Sequence, residues 1–155
     1  METLKTKTTL STSEFRIGNL VNHPIMGYCK VICIRAKSYD CATIDGGDWF
    51  ISENSEPIPL SPDILLSAGF KYLKVEGVSS FEEFHNPDED THCWSFNVKS
   101  TDLIDSHEIC LVKWGEEEYF TFQLGRGTYR KKIKYLHELQ NGMFFLTGEE
   151  LTINL

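Results

Sequence analysis

The sequence contains no long apolar run and no recognisable cysteine motif. None of its hydrophobic stretches approaches the ~20 residues that a membrane-spanning helix needs, and the opening METLKTKTTLSTS lacks the apolar centre of a signal peptide. The five cysteines are an odd number, and no two have the C-x-x-C spacing of zinc ribbons or redox motifs. We therefore expect a cytoplasmic protein with no membrane association, whose reduced thiols are buried on strands.

Positive charge is also scarce. The 155 residues include 15 Lys and Arg against 23 Asp and Glu, so the formal net charge is −8. A protein that wraps nucleic acid carries the opposite sign where it meets phosphate, and this balance disfavours duplex DNA as a ligand. Five cations without an acid are concentrated in GRGTYRKKIKYLH, residues 125–137, so the rest of the chain carries −13. This polarity marks the basic stretch, residues 125–137, as a candidate binding surface.

Short strands separated by turns fill the first part of the chain. The runs FRIGNLV, YCKVICIRAK, YDCATID and DWFIS have strand character, and Asp45, Gly46 and Gly47 indicate a tight hairpin. The second run is apolar on both faces, which is typical of a central strand. We predict a flexible tail over residues 1–12 and an SH3-like or similar small β-barrel over residues 13–60.

Residues 61–155 predict an α+β subdomain that packs on the barrel as one compact unit. Ser61 as N-cap, Pro62 at the first helical position and Gly69 at the end indicate a helix of about Pro62–Ala68. The runs CWSFNV, EICLVKW and EYFTFQL indicate an antiparallel sheet, with a hairpin across residues 115–117. Apolar residues at helical spacing predict a last helix from about Tyr135 to Leu146, lying across that sheet.

Three blocks of the sequence resemble a known family. RIGNLV, PIPLSPDILLSAGF and IKYLHELQNGMFFLTGEEL are similar to an opening, a central helix and a closing segment found in small uncharacterised proteins of bacteriophages, prophages and mobile elements of gut bacteria. The matched blocks cover about a third of the chain. The resemblance implies a small acidic accessory protein in the cytoplasm of a bacterial host, acting against host defence, on a host machine or in replication, but no activity that transfers residue by residue.

The basic stretch is the first candidate site. Two glycines around Arg126 leave backbone N–H groups unshielded, arginines grip phosphate with two hydrogen bonds, and tyrosines stack on bases. These chemistries suit a nucleotide or a cyclic oligonucleotide. The alternative is a solvated strand edge, where lysines prevent edge-to-edge association. The proposed ligand-binding residues are Arg126, Tyr129, Arg130, Lys132, Lys134, Tyr135 and His137.

Three further sets of residues have a functional and a purely structural interpretation. The loop from His85 to Cys93 contains metal-ligand types, but HNPDEDTHC fits no familiar ligand spacing and also suits a solvated turn. Acid–base or nucleophilic pairs are His107 with Glu108 and His137 with Glu138, acting with Ser106 or Cys110, although neighbours along a strand face opposite ways. The aromatic residues Trp49, Phe50, Phe81 and Phe84 form either an exposed protein-binding patch or part of the core.

The lead hypothesis from the sequence is a non-enzymatic, phage-type accessory protein that sequesters a nucleotide signal without cleaving it, with no cofactor and no metal. A homo-oligomer would help to enclose such a ligand. The second hypothesis is an adaptor or inhibitor that binds a host protein through an acidic surface, as a DNA mimic does. The third is a small phosphodiesterase or nuclease that uses histidines or a metal.

Overall fold

The protein has an α+β fold with two antiparallel sheets and a C-terminal helix. The α+β class, the antiparallel sheet of the second part of the chain and the helix agree with the prediction from the sequence. A computed structural model describes residues 11–52, 55–73, 91–98, 108–124 and 129–154. The chain divides into two compact units. The first contains Met1–Pro59 and Tyr135–Asn141, and the second contains Leu60–Lys134 and Gly142–Leu155.

A four-stranded sheet forms the first unit, after a 3-10 turn at Thr12–Glu14. Its strands pair in sequence order, so β2 is a central strand, as predicted. A register shift between Val31 and Cys33 marks a bulge in β2. The strands are β1 (Leu20–His23), β2 (Gly27–Ile34), β3 (Tyr39–Thr43) and β4 (Trp49–Ser52).

The SH3-like barrel is not confirmed. Within the described part of the first unit, β1 and β4 are the two edges of an open sheet. The chain that follows β4 does return to β1, but only through a single antiparallel bridge between Asn22 and Glu56. One bridge does not close a ladder, so the barrel remains a prediction.

The inner face of this sheet carries the core of the first unit. Alternate residues of the strands point inward and are almost fully buried with Phe15, while Phe50 packs against them half-buried. The first half of the C-terminal helix also belongs to this unit, and buried Leu136 and Leu139 lie on it. The inward residues are Val21, Cys29, Val31, Tyr39 and Cys41.

A five-stranded antiparallel sheet forms the second unit, again with strands paired in sequence order. Helix α1 (Pro62–Ser67) precedes it, and the second half of helix α2 (Leu136–Thr147) belongs to this unit. A Cβ atom on Gly142 of α2 would lie 3.7 Å from the ring of Phe122. The strands are β5 (Lys71–Leu73), β6 (Thr91–Asn97), β7 (Glu108–Trp114), β8 (Phe120–Leu124) and β9 (Tyr129–Ile133).

Both predicted helices are confirmed within one or two residues. The Ser61 hydroxyl accepts a hydrogen bond of 3.3 Å from the backbone nitrogen of Ile64, which caps α1 at its start. Gly69 follows the helix with a φ of +85°, a conformation that glycine adopts without strain. Neither helix, nor any other among the described residues, is long and apolar enough to cross a membrane.

Candidate functional site

The basic stretch lies partly outside the described residues. Arg126 is not among them, and Tyr129 and Arg130 begin β9, where their backbones pair with Leu124 and Gln123 of β8. Strand β9 has β8 as its only neighbour in the described sheet. The stretch is therefore an edge strand over part of its length, which is one of the two interpretations that the sequence left open.

The two lysines after Lys131 already contact groups of the turn between β7 and β8. The ammonium of Lys132 donates to the Tyr119 hydroxyl and lies 3.9 Å from the centre of its ring. The ammonium of Lys134 forms an ion pair with Glu118. Because these cations have partners within the protein, a phosphate at this place would compete with them.

Tyr135 and His137 lie in the first unit, where His137 is only 3% exposed. The imidazole stacks on the Tyr135 ring at 5.9 Å between centres and meets the Phe15 ring edge-on at 5.4 Å. Glu138 accepts a hydrogen bond of 3.0 Å from the Tyr135 nitrogen, which satisfies a donor at the start of α2. His137 is therefore a core residue of its own unit, and its role as a ligand-binding residue remains a prediction.

Little of the predicted metal loop can be placed. Residues 85–90 lie outside the described segments, whereas His92 and Cys93 are neighbours on β6 with opposite orientations. The Nδ1 atom of His92 is 3.0 Å from the Tyr72 hydroxyl. Within the described segments, no three His, Cys, Asp or Glu side chains converge to hold a metal ion.

Four of the five cysteines are buried core residues, and Cys33 is partly exposed. Cys93 and Cys110 lie on neighbouring strands β6 and β7, and both are buried and unoxidised. The hydrogen bond with the Cys110 thiol and burial raise the pKa of the Cys93 thiol. Burial raises the pKa of Cys41 to about 12. His107 and Ser106, the predicted partners of Cys110, lie outside the described residues.

The outer face of the first sheet carries the clearest exposed apolar surface among the described residues. Trp49 is 67% exposed and Ile51 is 59% exposed, both on β4, and Tyr28 on β2 is 41% exposed. Ala42 on β3 lies opposite Trp49 on β4 and opposite Lys30 on β2, which is two residues from Tyr28. We call Tyr28, Ala42, Trp49 and Ile51 the outer patch.

A charged pair borders the outer patch. The guanidinium of Arg35 donates two hydrogen bonds to Asp40, at 3.1 and 2.7 Å, and Asp40 lies opposite Ile51. Arg35 thereby holds the pKa of the Asp40 carboxyl below its usual range. The outer patch thus has the Arg35–Asp40 pair at one margin, and the exposed Lys30 lies beside Ala42.

The aromatic patch predicted from the sequence overlaps this surface only at Trp49. Phe50 points the other way and packs against the core, and Phe81 and Phe84 lie outside the described residues. The prediction missed Tyr28 and Ile51. Alternation along DWFIS would have placed Ile51 beside Trp49, but only the packing of the core on the other face shows that this face lies outward.

Comparisons of the chain with models of protein families, with curated proteins and with solved structures found no match.

Proposed function

We propose that this protein is a non-enzymatic accessory module that binds another protein through the outer patch. The observation that carries the proposal is the exposure of Trp49 and Ile51 side by side on an ordered strand. Large aromatic and aliphatic side chains form the centres of protein interfaces, because their burial releases water from apolar surface. A patch of this kind on a folded sheet is typical of an interaction site.

The resemblance to phage and prophage proteins supplies a context for this module. That resemblance implies a role against host defence, on a host machine or in replication, and antagonism of host defence is the role we propose for this protein. The net charge of −8 would speed encounter with a basic partner, since long-range attraction raises association rates more than it raises affinity.

Sequestration of a nucleotide remains a prediction from the sequence. Its support is the concentration of cations in residues 125–137. Against it, the described cations Lys132 and Lys134 already contact Tyr119 and Glu118. These contacts are the reason why we favour a protein partner over a nucleotide.

The test is a comparative capture experiment in extracts of a bacterial host. The wild-type protein is compared with a Trp49→Ser, Ile51→Ser double variant and with Phe145→Ser as the matched control. Phe145 is 78% exposed on α2, so its replacement removes a similar apolar side chain from another surface. We expect at least one protein to be retained by wild type and by Phe145→Ser but lost from the double variant.

An identical set of captured proteins with all three baits would contradict the proposal. Thermal unfolding of each variant checks that it still folds. We expect that it does, because Trp49 and Ile51 are exposed and their replacement removes few core contacts.

A further inference from the structure

The two edges of the first sheet differ in how their backbone groups are satisfied. In an antiparallel ladder, alternate residues of an edge strand direct their N–H and C=O groups away from the sheet. On β1 these residues are Leu20 and Asn22. Leu20 donates to the Gln140 side chain at 2.9 Å, and Asn22 exchanges two backbone hydrogen bonds, of 3.0 and 2.8 Å, with Glu56. The outer edge of β1 is therefore covered by the protein itself.

The outer edge of β4 has no such cover from the described residues. The Thr43 nitrogen donates to the Asp48 oxygen at 2.9 Å, so the residues of β4 that bond to β3 are Phe50 and Ser52. It follows that the backbone groups of Trp49 and Ile51 point away from β3. No described strand pairs with them on that side.

The edges of the second sheet are protected in ways that β4 is not. Strand β5 is only three residues long and begins with Lys71, and β9 contains Arg130, Lys131 and Lys132 in sequence. Short length and charged side chains are the usual devices that prevent an edge from accepting another strand. Strand β4, with the sequence WFIS, has neither charge nor proline, and its two outward side chains are both apolar.

We propose that β4 accepts an extended segment of the partner protein as a fifth strand of the first sheet. This proposal depends on the proposed function, and it names the chemistry of the partner. The backbone of the segment would bond to the outward-pointing groups of Trp49 and Ile51, and alternate side chains of the segment would pack on the outer patch. The segment should therefore alternate between apolar and polar residues.

Charge indicates that the segment is basic at the end that lies beside the turn between β3 and β4. This turn carries two exposed acidic residues, Asp45 and Asp48. Lysine or arginine at that end of the segment would complement these carboxylates. A second copy of this chain fits less well, because antiparallel pairing through Trp49 and Ile51 would place Asp48 of each copy opposite Ser52 of the other, where no cation complements it.

The probe for this proposal is a displayed library of random linear peptides, selected on the full-length protein and counter-selected on the Trp49→Ser, Ile51→Ser variant. We expect enriched peptides to alternate apolar and polar residues and to carry Lys or Arg at one end. In the complex with a synthetic copy of such a peptide, hydrogen exchange at the Trp49 and Ile51 amides should slow, while it stays unchanged at exposed amides elsewhere.

Two variants at position 51 distinguish strand addition to the edge of β4 from binding to the outer patch alone. Ile51→Ala removes the side chain, whereas Ile51→Pro also removes the outward N–H, which takes no part in the pairing with β3. We expect Ile51→Pro to bind the peptide roughly tenfold more weakly than Ile51→Ala, as loss of one backbone hydrogen bond predicts. Equal binding by the two variants would overturn strand addition and leave the outer patch as the site.

The remaining outcomes also decide between the proposals. Recovery of no peptide that requires Trp49 and Ile51, or recovery of dimers held together by β4 in solution, would overturn the recognition of a partner segment. If Ile51→Pro does not fold, hydrogen exchange of the wild-type complex is the remaining test of strand addition. Unchanged exchange at Trp49 and Ile51 would then overturn the proposal.

Discussion

The side-chain oxygen of Gln140 accepts a hydrogen bond of 2.9 Å from the backbone nitrogen of Leu20, and both residues are buried. Helix α2 thus satisfies an outward group of the edge strand β1. Replacing Gln140 with Leu keeps the volume but leaves the Leu20 N–H without an acceptor. We expect a loss of about 1–3 kcal/mol in the free energy of unfolding, measured by urea titration.

Phe145→Leu is the control for this measurement, because it introduces the same residue at an exposed position of the same helix. Its unfolding midpoint should stay near that of the wild type. Equal midpoints for Gln140→Leu and wild type would show that the Gln140–Leu20 contact contributes nothing to stability.

The Arg35–Asp40 pair gives stability a defined pH dependence. Because the pKa of Asp40 is lowered in the folded state, the ionised carboxylate stabilises the fold at pH values above the ordinary carboxyl range. This stabilisation is lost as the pH falls through the lowered pKa of Asp40. Arg35→Leu should raise the Asp40 pKa, as measured by carboxyl chemical shifts in an NMR titration. Lys37→Leu is the control, because it removes an exposed cation close in sequence that makes no hydrogen bond to Asp40, and it should leave the titration of Asp40 unaltered. If Arg35→Leu does not change the Asp40 pKa, the Arg35–Asp40 ion pair does not lower it.

We expect the Cys33 thiol to react faster than the thiols of the other four cysteines. Cys33 is the one partly exposed thiol, and the other four are buried, with a pKa of about 12 at Cys41. A thiolate-specific reagent such as a mixed aromatic disulfide should modify Cys33 rapidly and the remainder only on unfolding. Cys33→Ser should abolish the fast phase. A fast phase that persists in this variant would mean that a core thiol is accessible.

The nucleotide hypothesis can be tested separately from the protein-binding proposal. If residues 125–137 hold phosphate, a linear or cyclic nucleotide should raise the unfolding temperature, and an Arg126→Ala, Arg130→Ala double variant should lose the effect. Heating the complex and analysing the released nucleotide by mass spectrometry distinguishes an intact ligand from a cleaved one. A flat response across the panel would leave the basic stretch as a charged edge strand.

Local signals explain which elements the sequence predicts well. Helix α1 follows from Ser61, Pro62 and Gly69, whose capping and turn preferences act within a few residues. Strand β5 was missed because three residues show no alternation, and its pairing with β6 joins residues far apart in sequence. The run FRIGNLV predicts a longer strand than β1, but Gly18 with a φ of +100° makes a turn before it.

The candidate surface was harder to predict than the fold. Period-two alternation places Trp49 and Ile51 on one face of β4, yet it does not tell which face is covered. Whether an edge is open depends on distant residues such as Gln140 and Glu56, which cover β1 but not β4. Sequence patterns therefore identified the apolar residues but not the surface that they form.

Two glycines of the C-terminal segment should respond oppositely to replacement by alanine. Gly142 lies inside α2, and a Cβ there would make ordinary contact with Phe122 at 3.7 Å, so Gly142→Ala should stabilise the protein by about 0.5–1 kcal/mol. Gly148 follows the helix with a φ of +72°, and Gly148→Ala should destabilise it by about 1 kcal/mol or more. Thermal unfolding of both variants tests the expected gain of stability in Gly142→Ala and the expected loss in Gly148→Ala. A loss of stability in Gly142→Ala would mean that α2 packs too closely on Phe122 to admit a methyl group.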